Sequence, residues 1–596
     1  MKKSQNDTFE FAVPFPIGWI DTQPHMVENF LEKLTPEEQA REILRFPGRK
    51  KIDLVILSQC SKEVMALLPE EEVYQMVKDA GESESLAILS IATEEQLQYI
   101  FDLEWWRGDK FCPSEALKWL DLLDQCGEPQ WLKWLVTEEF EQKVMVMQSL
   151  MKVYKNDEMT DSYEGVENLE HYTLDGVYDI YFKVEETGAL KKFLMLLRST
   201  EEEIYFSLME AIIWYPVTQT IERAYHWRTN RTAARGIPEF EEAMQIYSPL
   251  NPSVLTELPP DPDDLRYFEG QAAPLYPMVD GFAPSFLKQS LLLLDRTRRM
   301  DALGWEMVLI ANKVMVADKK EPSQPEARNE CLRKAMAYIN IGLEVGAEGD
   351  PKKGARLLEK TWVQSLFQVG HERLLTLKAT AQKLISERGA FLEFLIPPAD
   401  KERLAALVER FPLASELGKG TGPSWSFREF QSLEEIVGME DFLERQKFHV
   451  RFATHVLSLL PSDMDRLVAE CSFPEDSESM NIVILTATAL ARFVMFKEIS
   501  CEPLNEVAAK SFIEMFFLPN IHAGDIKQPQ PHIEGTFVEA ALKCPMAWTE
   551  DDQRYCRELI AYSMGHLCDQ LGGLNPKGTI EWKYIRAICI KWGRKS

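Results

Sequence analysis

Apolar residues recur along most of this chain at the three- and four-residue steps of amphipathic helices. Phe140, Val144, Met147, Met151 and Tyr154 form one such stripe, which a neighbouring element has to cover. Between periodic stretches lie helix-start signals, in which a hydroxyl or a proline precedes acids that satisfy the exposed first-turn amides. Thr35-Pro36-Glu37-Glu38 joins an N-cap, a first-position proline and a capping-box glutamate. Thr93-Glu94-Glu95-Gln96 and Thr200-Glu201-Glu202-Glu203 repeat the box; Leu68-Pro69-Glu70-Glu71, Pro113-Ser114-Glu115 and Thr137-Glu138-Glu139 are looser forms. Starts near 36, 69, 94, 113 and 138 have the spacing of short helices and helix pairs. The pattern predicts a mainly α fold of stacked helical hairpins, an irregular superhelix or solenoid.

One stretch breaks the helical period. Between Tyr172 and Val184, Asp175-Gly176 separates β-prone runs, with Tyr178, Ile180, Phe182 and Val184 on one face, which predicts a small β-hairpin near 172–184. Helical pattern resumes near Leu190 and runs to Tyr247. Seven prolines between Pro252 and Pro284, with Asp261, Asp263 and Asp264 among them, forbid long helices there. Beyond them, Cys331–Val345 and Lys353–Val369 read as helices separated by Gly346–Pro351. A second break runs from Pro397-Pro398 to the glycine-rich stretch that ends at Pro423. The expected division is an N-terminal arm (1–30), a helical-repeat domain with the hairpin (31–250), a proline-rich connector (251–284), a middle helical domain (285–395), a linker (396–424) and a C-terminal helical domain (425–596).

Charge narrows the range of partners. Among 596 residues, 95 acids against 66 bases give a net charge of −29, which repels polyanions and argues against nucleic acid. The basic excess is confined to the extreme C-terminus, at Lys583, Arg586, Lys591, Arg594 and Lys595, where favourable charge at a helix end is the simplest reading. Ten cysteines without C-x-x-C spacing suit a reducing compartment, and acids at Asp7 and Glu10 interrupt the basic start where a secretory signal would be apolar. The most membrane-like run, Met480–Ala491, is too short to span a bilayer and reads as a helix buried in protein. A cytoplasmic protein without a membrane span is expected.

Candidate chemistry is sparse. Gly418-Lys-Gly-Thr-Gly-Pro423 is not a phosphate loop, because that motif needs G-x-x-x-x-G-K-[ST] between a strand and a helix, and no strand is predicted before it. His522, His532, Cys544, Cys556, His566, Cys568 and Cys589 cluster late without metal-ligand spacing. Acid runs such as Glu70-Glu71-Glu72 and Glu201-Glu202-Glu203 read as solvated helix starts. The sharpest feature is Arg228, Arg231 and Arg235, which share one helical face. Three guanidiniums so close require an anion: a phosphate or carboxylate ligand, an acidic partner segment, or internal carboxylates such as Glu239, Glu241 and Glu242. Internal pairing is favoured in so acidic a chain, and these arginines are the candidate anion or partner contact.

The chain resembles a bacterial family known only as a domain of unknown function. The resemblance lies in Thr173–Phe182 (TLDGVYDIYF), in the R-x-x-R…RG-x-P-x-x-x-EA-x-x-IY pattern from Arg228 to Tyr247, and in Ile341–Gly370 (IGLEVG…QVG). It covers most of the chain, implies a bacterial cytoplasmic protein, and brings no activity or functional residues. Ile237 replaces the phenylalanine of the family's RGFP form, a change that leaves the turn intact. The Leu-Pro-Glu-Glu helix starts are also similar in architecture to the cytosolic helical superhelix of magnesium transporters. The resulting expectation is a noncatalytic scaffold or adaptor for a protein or peptide partner, with no cofactor, no metal ligand and no catalytic residue assigned. An enzyme or small-ligand sensor with a site assembled from distant residues, and a metal-responsive regulator, are the alternatives.

Overall fold

The computed structural model describes residues 14–127, 130, 133–134, 140–156, 165–166, 168–255, 274, 276–279, 282–294, 298–417, 425–471, 480–518 and 528–591. The helix start at Thr137, the acids Asp261, Asp263 and Asp264, the glycine stretch at 418–423, His522, Arg594 and Lys595 lie outside them. The fold is mainly α, with small antiparallel sheets of two or three strands. The chain forms two compact units, 1–372 and 373–596, and residues on both sides of the proline-rich stretch belong to the first. Among the described residues no helix is long and apolar enough to cross a membrane.

In the first unit local chemistry sets several helix starts. Thr35 caps Pro36–Ile43 in a reciprocal box with Glu38, and Thr93 caps Glu94–Glu104 with Gln96. Thr200 does not start a helix. It ends Gly188–Thr200, its hydroxyl donating to the Leu196 carbonyl at 2.7 Å, and Glu202–Trp214 begins with no side-chain cap. Buried glutamines then close helix ends from neighbouring helices. Gln39 Nε2 donates to the carbonyls of Leu31 and Leu34, Gln96 Nε2 to those of Met65 and Leu68, and Gln148 Nε2 to those of Ile212 and Tyr215. The last carbonyls of a helix have no intrahelical donor, so a buried amide supplies what water cannot. Each glutamine thereby fixes one helix end against the flank of another.

The stripe that begins at Phe140 is helical only as far as Leu150; Met151–Lys155 is a strand. It pairs antiparallel with Tyr178–Phe182, which also pairs with Glu170–Tyr172, so the predicted hairpin is two strands of a three-stranded sheet. Asp175 makes the turn, its Oδ1 accepting from the amides of Val177 and Tyr178. Tyr178, Ile180 and Phe182 are buried on the shared face. Two further expectations are corrected. The helical stretch 353–369 is divided at Thr361-Trp362, between Pro351–Lys360 and Val363–Leu395. The stretch 396–424 is not all linker, for it contains helix Pro398–Val408 and strand Leu413–Leu417, which pairs with Trp425–Glu429. A strand therefore does precede the glycine stretch, but a strand also follows, so the setting is a hairpin and not a phosphate loop.

Helices Pro325–Ala347 and Val363–Leu395 meet backbone to backbone in the first unit. A Cβ on Gly342 would sit 1.8 Å from the Leu366 carbonyl oxygen, and one on Gly370 would sit 2.0 Å from that of Tyr338. In the second unit, Ile482–Phe496 is the buried helix expected at 480–491, capped by Asn481 and packed against Glu550–Leu571. The last long helix ends at Leu571, so Arg586 and Lys591 do not neutralise a helix terminus. They flank a buried extended segment, Ala587 to Ile590.

Candidate functional site

Helix Val217–Ala234 carries the three arginines, and its stop is built from the RG-x-P pattern. Gly236 takes a positive φ of 78° while Ile237 N bonds Thr232 O and Gly236 N bonds Ala233 O, a left-handed helix stop that glycine adopts without strain. The Leu309 side chain packs so close that a Cβ at Gly236 would lie 1.8 Å from it. Ile237 is buried behind the intact turn.

The arginine face turns inward. Arg231 holds Asp102 in a two-pronged pair, Nε to Oδ2 at 2.7 Å and Nη2 to Oδ1 at 2.6 Å. Arg228 donates to the Asp102 and Gly108 carbonyls at 2.7 and 3.2 Å and lies over Trp106. Arg235 reaches Glu70 at 3.2 Å and lies over Tyr99. Asp102 is only 1% exposed. The carboxylates that meet the arginines thus come from helices Glu70–Ala80 and Glu94–Glu104, whereas Glu239, Glu241 and Glu242 are exposed.

The acid run Glu70-Glu71-Glu72 is buried, contrary to the solvated helix start its composition suggests. Glu70 faces Arg235, and Glu72 pairs with the equally buried Lys51 at 2.9 Å, so cations from other helices replace water. Tyr74 extends the network, donating to Glu104 at 2.5 Å, while Lys78 bridges Glu104 and Glu82. Glu201-Glu202-Glu203 remains exposed.

Glu71 is the odd member: its Oε2 is buried without a hydrogen-bond partner, and burial, reinforced by Glu70, pushes its carboxyl up to about 8. It is therefore a neutral acid at pH 7. A carboxyl raised in the folded state contributes fully below its unfolded value near 4.5, and that contribution is lost as pH rises to about 8. Glu71→Gln is expected to match the wild type near pH 4 and exceed it at pH 8.5 by on the order of 3 kcal/mol in urea titrations. Equal stability at both pH values would show that Glu71 ionises freely.

The cavity beside this network, lined by Gln75, Asn312, Met315, Arg328 and Cys331 among others, measures about 10 Å³. That is room for about one water, not for a substrate.

A larger opening lies on the flank of Glu202–Trp214. Glu203, Ser207, Glu210 and Trp214 follow the helical period along one face, and with Phe140, Ile204 and Tyr215 they line a groove of about 620 Å³. Trp214 is 70% exposed, yet it is pinned, its Nε1 donating to Glu210 at 2.9 Å. Glu210 also accepts from the Tyr178 hydroxyl at 2.7 Å and Lys155 at 2.9 Å, and these contacts, Tyr178 first, draw its carboxyl down to about 2. Sequence reasoning overlooked this face; the available signal was a tryptophan on the polar side of an amphipathic helix.

Among the described residues no group of three His, Cys, Asp or Glu side chains has the geometry to hold a metal ion. The family described as "Family of unknown function (DUF6178)" matches residues 28–591. No curated protein and no solved structure matches the chain.

Proposed function

The chain belongs to that family of unknown function, and from this premise we propose that it is a noncatalytic helical scaffold whose groove on the 202–214 helix binds a basic segment of a protein or peptide partner. The observation that carries the reading is Trp214, a large aromatic side chain held open to solvent by a fixed hydrogen bond. Exposed aromatics in a groove are the usual energetic centres of protein recognition. Glu203 and Glu210 beside the indole favour a Lys or Arg side chain, which pairs with carboxylate and stacks on aromatic faces alike. Arg228 and Arg231 already meet Asp102, and Arg235 meets Glu70, which favours an internal role for them over a partner contact. We place this activity in the bacterial cytoplasm, a reading supported by ten free cysteines.

The test is affinity purification of the tagged full chain from its native cell, beside Trp214→Ala/Tyr215→Ala and beside Trp227→Ala, an exposed tryptophan outside the groove. Recovery of a stoichiometric partner should fall about tenfold or more in the groove variant and stay unchanged in the control. Equal recovery by all three proteins, or no retained partner at all, would remove the groove as the contact.

A further inference from the structure

The last described residues of the second unit form an extended segment that brings distant sulfur atoms together. Lys591 pairs with Cys471 in an antiparallel bridge, and Ile590 pairs with Leu504 in a parallel one. Leu504 N donates to Cys589 O at 2.9 Å, Lys591 N to Leu504 O at 2.7 Å, and Cys589 N to Thr488 Oγ1 at 2.8 Å. Alternate residues of an extended segment share a face, so Cys589 lies diagonally across from Cys471 on the side that Lys591 takes. The two thiols are in hydrogen-bond contact, and both are buried. Cys501 is nearby, but its Sγ is directed to the Leu485 carbonyl at 3.8 Å.

We propose that Cys471 and Cys589 are a redox-sensitive dithiol, which a small disulfide of the glutathione class converts to a bond that locks the C-terminal segment onto the second unit. Burial requires the segment to open locally before the oxidant can reach it. The Cys589 thiolate then attacks the small disulfide, breaking its S–S bond and releasing one thiolate. The Cys471 thiolate attacks the Cys589 sulfur of the mixed disulfide and releases the second. The protein pair loses two electrons to the oxidant, and the two protein protons end on the two departing thiols. The new bond closes a long loop of chain and constrains the unfolded state.

The experiment treats the full-length wild type with oxidised glutathione under native conditions, quenches with acid, alkylates, and maps non-reduced peptides by mass spectrometry. The expected product joins the Cys471 and Cys589 peptides, is lighter by two hydrogens, and reverts with dithiothreitol. Its thermal midpoint should rise by about 5 °C. Cys501→Ser should form the same link. Glutathione adducts on the half-buried Cys60 and Cys112 alone, or a bond from Cys589 to Cys501, would overturn the assignment. Mapping the wild type keeps the result independent of whether a Cys589→Ser protein folds.

Discussion

A Gly342→Ala variant is expected to unfold at least ~3 kcal/mol more readily than the wild type, with Gly370→Ala close to it. The added methyl would meet the Leu366 carbonyl oxygen at 1.8 Å and its carbon at 2.7 Å, while the Gly370 methyl would meet Tyr338 O at 2.0 Å. These obstacles are backbone atoms of a facing helix, so no side chain can rotate out of the way. The helices must separate, which loosens the Tyr338, Phe367 and His371 ring contacts beside the crossing. Alanine's better helix propensity returns only about 1 kcal/mol. Gly565→Ala is the matched control: it lies in a helix with nothing within 4 Å of the new methyl, and it should be neutral or stabilising by about 0.5–1 kcal/mol. Urea unfolding followed by circular dichroism measures all three. A Gly342→Ala protein as stable as the wild type would mean that the helices do not touch there.

Arg231→Ala should cost about 3–5 kcal/mol, because it strands the Asp102 carboxylate in a site only 1% exposed. The size of the effect belongs to the orphaned charge more than to the attraction it ends. Arg231→Met combined with Asp102→Leu should therefore recover most of the loss, since apolar replacements of a buried pair are often neutral. Arg228 keeps its bond to the Asp102 backbone carbonyl in that double variant. The two single variants and the double form a thermodynamic cycle that isolates the pair. An Arg231→Ala cost below about 1 kcal/mol, the range of a solvated pair, would instead leave this guanidinium free for an external anion.

Success in reading the sequence followed the range of the forces involved. The Thr35 and Thr93 boxes were legible because cap and amide are three residues apart. The Asp175 turn was legible for the same reason. Thr200 misled, since the same tetrapeptide chemistry is overridden when the preceding helix continues through it. Met151 fits both a helical stripe and a strand with Val153, and pairing with Phe182 and Ile180 decides for the strand. Strand Leu413–Leu417 has no β-branched residue to announce it.

Two acidic triplets mark the boundary between sequence and tertiary structure. Glu70-Glu71-Glu72 and Glu201-Glu202-Glu203 both begin helices, and nothing local distinguishes them. The first is buried because Lys51 and Arg235 arrive on other helices; the second meets no such pair and stays in water. The chain's own sequence determined its helical class, its acidic surface, its local caps and turn, and the shared face of Arg228, Arg231 and Arg235. Only the tertiary structure decided that this face looks inward, onto an aspartate 129 positions away, and that Trp214 looks outward. Caps and periodicity act over a few residues, whereas the partner of a buried charge is chosen by whichever helix packs against it.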